Sequence, residues 1–173
     1  MLKKIISGGQ TGVDQAALDV AIKLNIPHGG WCPKGRKTEY NKPMDACYKL
    51  HETDSDDPNV RTKLNIRDSD GTLILVPSIP VKVSDGTIVT INEVIKKKKP
   101  HLIIDVSENN VDLPKKIIDW IKENNIKILN VAGPRESQSL GIYVKSSKLL
   151  TITLCRVVIK ENICEISQIK PKL

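Results

Sequence analysis

The chain has 173 residues, 39% of them hydrophobic and 27% charged, with a formal net charge of +7 from 27 Lys plus Arg against 20 Asp plus Glu. That length suits a single domain of about 100–200 residues, and the composition excludes intrinsic disorder. Aromatic residues supply only 3% and Phe is absent, so the core must be aliphatic and a stacking platform for single-stranded nucleic acid is not expected.

Residues 3–7, Lys-Lys-Ile-Ile-Ser, read as a short strand that stops at Gly8-Gly9. Over 12–25 the apolar positions Val13, Ala16, Ala17, Val20, Ala21 and Leu24 recur at helical spacing. Asp14 falls in the first turn, where a carboxylate suits the helix dipole. A short strand is expected at 26–30, then a loop rich in glycine and proline. Residues 41–57 read as loop with one helical turn at 44–48. Pro58 opens a helix that runs to Arg67, and Thr72-Leu73-Ile74-Leu75-Val76 is apolar enough for a parallel strand covered on both faces.

A loop over 77–85 leads to Gly86-Thr87 and a helix over 88–98. A strand at 101–106, an amphipathic helix at 113–124 and a strand at 127–132 follow, ending at Gly133-Pro134-Arg135-Glu136-Ser137. From Gly141 a helix begins. The β-branched stretch 151–159 either continues it or enters a hairpin turning at Glu161-Asn162. Strands alternating with helices imply an α/β fold with a mostly parallel sheet and helices on both faces, one domain over 1–173. Ligands of such sheets sit beyond the carboxyl ends of the strands, where strand order reverses. Segments 8–12, 29–36, 77–87 and 133–137 each follow a strand and are expected to converge there.

A basic excess favours anionic partners, although Lys96-Lys97-Lys98-Lys99 reads as a solvated helix C-terminus, and Lys170 and Lys172 sit in the tail. Cys32, Cys47, Cys155 and Cys164 form no CxxC pair and have no His at zinc-finger spacing; they are expected to be reduced and packed in the core. Met1-Leu2-Lys3-Lys4 runs into a strand without a leader pattern, and no apolar stretch reaches the ~18 residues of a membrane span. A cytoplasmic protein with no membrane or nucleic-acid partner is expected. His28, His51 and His101 share no spacing and read as structural.

Glycines between a strand and a helix let a backbone approach a ligand closely and leave helix N–H groups facing an anion. Gly8, Gly9, Gln10, Thr11 and Gly12 fit that need. The loop is neither a P-loop, which needs a lysine here, nor the spaced-glycine dinucleotide fingerprint. Gly86 and Thr87 open a helix and offer a second set of amides. Lys34 and Arg36 place cations in a glycine-rich loop, where Arg suits bidentate contact with phosphate. Gly133, Arg135 and Ser137 follow a strand with a cation and a hydroxyl.

Together, Ser-Gly-Gly-Gln-Thr-Gly-Val-Asp-Gln-Ala-Ala-Leu-Asp (7–19), Pro-His-Gly-Gly-Trp-Cys-Pro-Lys-Gly-Arg (27–36), Asn-Ile-Arg-Asp-Ser-Asp-Gly-Thr-Leu-Ile-Leu (65–75) and Asn-Val-Ala-Gly-Pro-Arg-Glu-Ser (130–137) closely resemble the molybdenum-cofactor carrier-like proteins. These belong to the wider group of Rossmann-like folds related to the lysine-decarboxylase-like proteins. The resemblance covers residues 3–150, leaving 151–173 as a divergent extension. It implies a Rossmann-like three-layer sandwich and a homo-oligomer, dimer or tetramer. It also implies that the residues named above bind a phosphorylated small molecule: molybdenum cofactor (molybdopterin), or otherwise a nucleotide. No catalytic group and no protein metal ligand are implied, because the pterin dithiolene would hold the metal. The family's second glycine motif usually reads Gly-Gly-Thr, where this chain has Asp85-Gly86-Thr87.

Two other functions compete. A phosphoribohydrolase of the lysine-decarboxylase-like kind would carry a catalytic Glu three residues after Thr87, but that position is Thr90, with Glu93 about one helical turn further. A nucleotide-sensing module acting through oligomer contacts would use the same phosphate site.

Overall fold

A computed structural model of the chain describes residues 2–80, 85–107 and 110–168, of which Asp85 and 160–168 are described by their backbone. Lys170, Lys172 and part of the expected 77–85 loop lie outside the described residues, as does any role of the Asp85 side chain.

The strands are β1 (Lys4–Ile6), β2 (His28–Cys32), β3 (Leu50–Glu52), β4 (Gly71–Val76), β5 (His101–Asp105) and β6 (Ile128–Ala132). They form one sheet in the order β3-β2-β1-β6-β4-β5, with every pairing parallel. The helices are α1 (Val13–Lys23), α2 (Pro58–Arg67), α3 (Asp85–Lys96), α4 (Leu113–Glu123) and α5 (Ile142–Gln168).

The unbroken apolar run of β4 has the expected reason. Leu73 and Leu75 pack with Ala17 and Val20 of α1, Ile117 and Ile121 of α4, and Leu150 and Leu154 of α5. Ile74 and Val76 turn to the other face, against Ile66 of α2 and Val94 of α3. Alternate side chains of one strand thus enter two cores, and the chain is a three-layer α/β sandwich with a Rossmann-like arrangement. The chain leaves β1 toward β2 and leaves β4 toward β5, in opposite directions. The crevice between these paths lies beyond the carboxyl ends of β1, β6 and β4.

Three expectations change and one open alternative is decided. Residues 41–57 contain β3, and 44–48 is no helical turn: Met44, Tyr48 and Leu50 instead form a third core with Leu18 and Cys32. The stretch 151–159 continues α5, so Glu161-Asn162 lies within a helix and not at a hairpin turn. Cys47 is exposed and Cys155 half-buried while Cys32 is buried, so full burial describes Cys32 alone of these three; the Cys164 side chain lies outside the described residues. Of the lysine run, Lys96, Lys97 and Lys98 are exposed, but the Lys99 ammonium donates to the carbonyls of Ile66, Arg67 and Ser69 at 2.8, 2.7 and 2.6 Å. Lys99 closes the C-terminus of α2, where free carbonyls and a cation attract.

No helix among the described residues is long and apolar enough to cross a membrane.

Candidate functional site

A cavity of about 300 Å³ opens beyond the carboxyl ends of β1, β6 and β4, between the N-terminal halves of α2 and α3. That volume is at the small end of ligand pockets. Of the sequence candidates, Gly8, Gln10, Gly86, Thr87, Gly133 and Arg135 line it. Three of the four expected segments therefore meet at one place.

The floor is built by Asp14, from the first turn of α1, and Arg61, from α2. Arg61 Nη1 lies 3.3 Å from Asp14 Oδ2 and donates to the Gly8 carbonyl at 2.6 Å. Asp14 also accepts from the Gln10 N–H at 3.2 Å. Burial pushes the Asp14 carboxyl up, against the opposing pull of the Arg61 guanidinium and of the Gln10 N–H. The absence of a side chain at Gly8 leaves room for the ion pair, since a Cβ would press on the Arg61 guanidinium and meet Asp14 Oδ2 at 2.7 Å.

The opposite wall is the first turn of α3. Gly86 is exposed, and a Cβ added to it would meet nothing within 4 Å. Thr87 is 3% exposed, and its hydroxyl has no hydrogen-bond partner among the described residues. Buried hydroxyls are normally bonded; the Ser146 hydroxyl of α5 is likewise without a partner among the described residues, but only Thr87 belongs to the cavity lining. The Thr90 hydroxyl donates back to the Gly86 carbonyl at 3.1 Å. Asn130 of β6 also lines the cavity, with its amide donating to the Thr72 hydroxyl at 3.2 Å. No aromatic side chain is among the lining residues.

The remaining candidates are placed elsewhere. Gly9 has φ +75°, and a Cβ there would meet Leu50 and Met44, so it turns toward the third core. Gly12 has φ +78° and abuts the Pro134 carbonyl, where it starts α1. The Thr11 and Ser137 hydroxyls both donate to Glu39, whose side chain is 5% exposed and also lies 3.6 Å from Arg135 Nε. Burial raises the Glu39 carboxyl, but the hydrogen bonds from Ser137 and Thr11 and the Arg135 charge outweigh it and hold the group below its usual range. Thr11 and Ser137 thus fasten the 33–49 loop to the end of β6. Arg36 donates to the carbonyls of Leu50, Tyr48 and Asp45 at 2.9, 3.1 and 3.3 Å, which spends its fork on its own loop. Lys34 is exposed, and neither cation lines the cavity.

Sequence reasoning missed Arg61, Asn130 and Glu39. Arg61 sits in a polar helix with nothing beside it in sequence to mark it. Asn130 had a signal: an amide inside the apolar run Ile-Leu-Asn-Val-Ala must find buried partners. Chemically, the cavity offers a guanidinium, a free hydroxyl and the amides of a helix N-terminus, a set suited to an anion. No group of three or more His, Cys, Asp or Glu among the described residues is placed to hold a metal ion.

The sequence matches the model of the circularly permutated YpsA SLOG family over residues 5–154. A solved structure from Syntrophus aciditrophicus SB, named "Putative molybdenum carrier protein", superposes with a TM-score of 0.83 at 42% identity, covering 88% of this chain and 95% of that one. No curated protein matches the sequence.

Proposed function

Because the chain belongs to the circularly permutated YpsA SLOG family, we propose that its cavity binds a phosphorylated small molecule and that the protein serves as a carrier, with molybdenum cofactor as the cargo. The observation that carries this reading is the partnerless Thr87 hydroxyl at the N-terminus of α3, in a cavity that also holds Arg61. A phosphate would accept from Thr87, from the first amides of α3 and from Arg61, and would lie where the helix dipole favours negative charge. The name of the Syntrophus protein supports molybdenum as the payload. The pterin's own dithiolene sulfurs would hold that metal, and the chain's residues would grip the phosphate and the pterin's polar edge.

A hydrolytic role is less well supported. The position three residues after Thr87 is Thr90, already bonded to Gly86, and Glu93 is not among the lining residues. A carboxylate that could stabilise an oxocarbenium-like transition state is therefore missing from the expected place.

Equilibrium binding of a phosphorylated pterin and of the same pterin without its phosphate tests the proposal. The phosphorylated form should bind at least about tenfold more tightly, the scale of charge-assisted hydrogen bonds to one anion. Equal affinities would contradict it, and release of free base from nucleoside monophosphates would favour the enzyme instead.

A further inference from the structure

β5 ends the sheet, and its parallel pairing fixes which backbone groups face outward. Val106 N donates to the Val76 carbonyl at 2.8 Å and the Pro100 carbonyl accepts from Thr72 N at 2.9 Å. Even-numbered residues of this strand therefore turn their N–H and C=O toward β4, and His101, Ile103 and Asp105 turn theirs away. No strand or loop among the described residues bonds those outward groups. The other edge, β3, is three residues long, with His51 and Glu52 exposed. β5 has five residues, His-Leu-Ile-Ile-Asp, with no Lys, Pro or bulge to blunt it.

We propose that a second copy of this chain pairs with β5, antiparallel, about a two-fold axis at Ile103. In this register Ile103 faces its own counterpart, and His101 of each copy faces Asp105 of the other. All three are residues with outward backbone groups, so every outward N–H and C=O finds a partner. The interface is self-complementary, as a two-fold contact must be. Charge supports the same register: the exposed Lys96, Lys97 and Lys98 lie just before the start of the strand, and its end carries the Asp105 carboxylate, which also accepts from Ile79 and Ser107 of its own chain. Opposite charges facing across strands are favourable, and like charges are not. A slip by two residues would separate these pairs and leave outward groups unbonded at both ends.

The helix beside the edge agrees. Gly86, Thr87 and Thr90 put one flank of α3 on the cavity, which leaves Ile88 and Ile95 on the opposite flank, toward the free side of β5. They are 42% and 56% exposed. Ile79, whose N–H donates to Asp105 Oδ2 at 2.9 Å, is 60% exposed at the strand's far end. Pairing would give these isoleucines a counterpart across the axis.

Sedimentation equilibrium with amide hydrogen exchange tests this on the full chain. The protein should dimerise. The amides of His101, Ile103 and Asp105 should gain protection as concentration rises, while those of Leu102 and Ile104 stay protected throughout. The double variant Ile88→Glu/Ile95→Glu changes only exposed positions and should raise the dimer dissociation constant on the order of tenfold or more, with the melting temperature unchanged at dilutions where both proteins are monomeric. A monomer at all concentrations, a dimer whose three outward amides remain unprotected, or a double variant with unaltered dissociation would overturn the proposal.

Discussion

Arg61 on α2 and Asp14 on α1 face each other at 3.3 Å across the cavity floor, with side chains only 13% and 8% exposed. Two helices from opposite faces of the sheet are thereby tied beneath the Gly8 carbonyl. A charge this deep is tolerable only with its partner, because removing one member leaves the other uncompensated. Arg61→Ala should cost about 3 kcal/mol of stability. The double change Arg61→Met/Asp14→Asn should recover most of that while still failing to bind the anion. Urea unfolding of the three proteins measures the first effect, and ligand titration the second.

The Thr87 hydroxyl separates binding from folding more cleanly. Thr87→Val keeps the shape and removes an unbonded buried oxygen, so stability should hold or rise by about 1 kcal/mol. Affinity for the phosphorylated ligand should fall about tenfold or more, and Thr87→Ser should keep it near the original. Calorimetric titration of both variants checks the contrast.

The glycines should divide into two kinds. Gly12→Ala forces a side chain into φ +78° and against the Pro134 carbonyl, and should cost about 2 kcal/mol or more. Gly86→Ala meets open space in a helix, should leave stability within about 1 kcal/mol, and should weaken ligand binding by intruding where the ligand approaches. Thermal melts and titrations of the pair distinguish structural from binding glycines.

Glu39 sets a pH dependence of known sign. Its folded carboxyl is held below the ordinary 4.5, so its contribution is present above 4.5 and is lost as pH falls through the folded value. Glu39→Gln should flatten the fall in stability between neutral pH and about pH 3. Asp14 works in the opposite sense. Its folded carboxyl lies above the ordinary 3.8, so its contribution is full below 3.8 and fades as pH rises through the folded value. Denaturant midpoints measured across that range reveal both slopes.

The fold was legible where pattern is local. The run 72–76, apolar on both faces, declared a central parallel strand, and the helical spacing over 12–25 declared α1. β3 was not legible, because three residues in a polar stretch become a strand only by pairing with Gly30, Trp31 and Cys32. The tail was ambiguous because β-branched residues fit either state until α5 packs on α1. Glycine loops and the strand-end rule located the cavity, yet they also pointed to Arg36, whose guanidinium is consumed by three loop carbonyls. Of the two cations that do line the cavity, Arg135 follows β6 as the strand-end rule expects, and Arg61 comes from a helix on the far side of the sheet from α1. Its tie to Asp14 spans a separation that no local pattern encodes.

The central claim, a phosphorylated cargo held between α2 and α3, is tested most directly by native mass spectrometry. The protein would be purified from a host that makes molybdenum cofactor, beside Thr87→Val purified the same way. A retained mass of a phosphorylated pterin on the first protein, depleted on the second, is the result expected. No retained phosphate-bearing mass, or equal retention by both proteins, would contradict it.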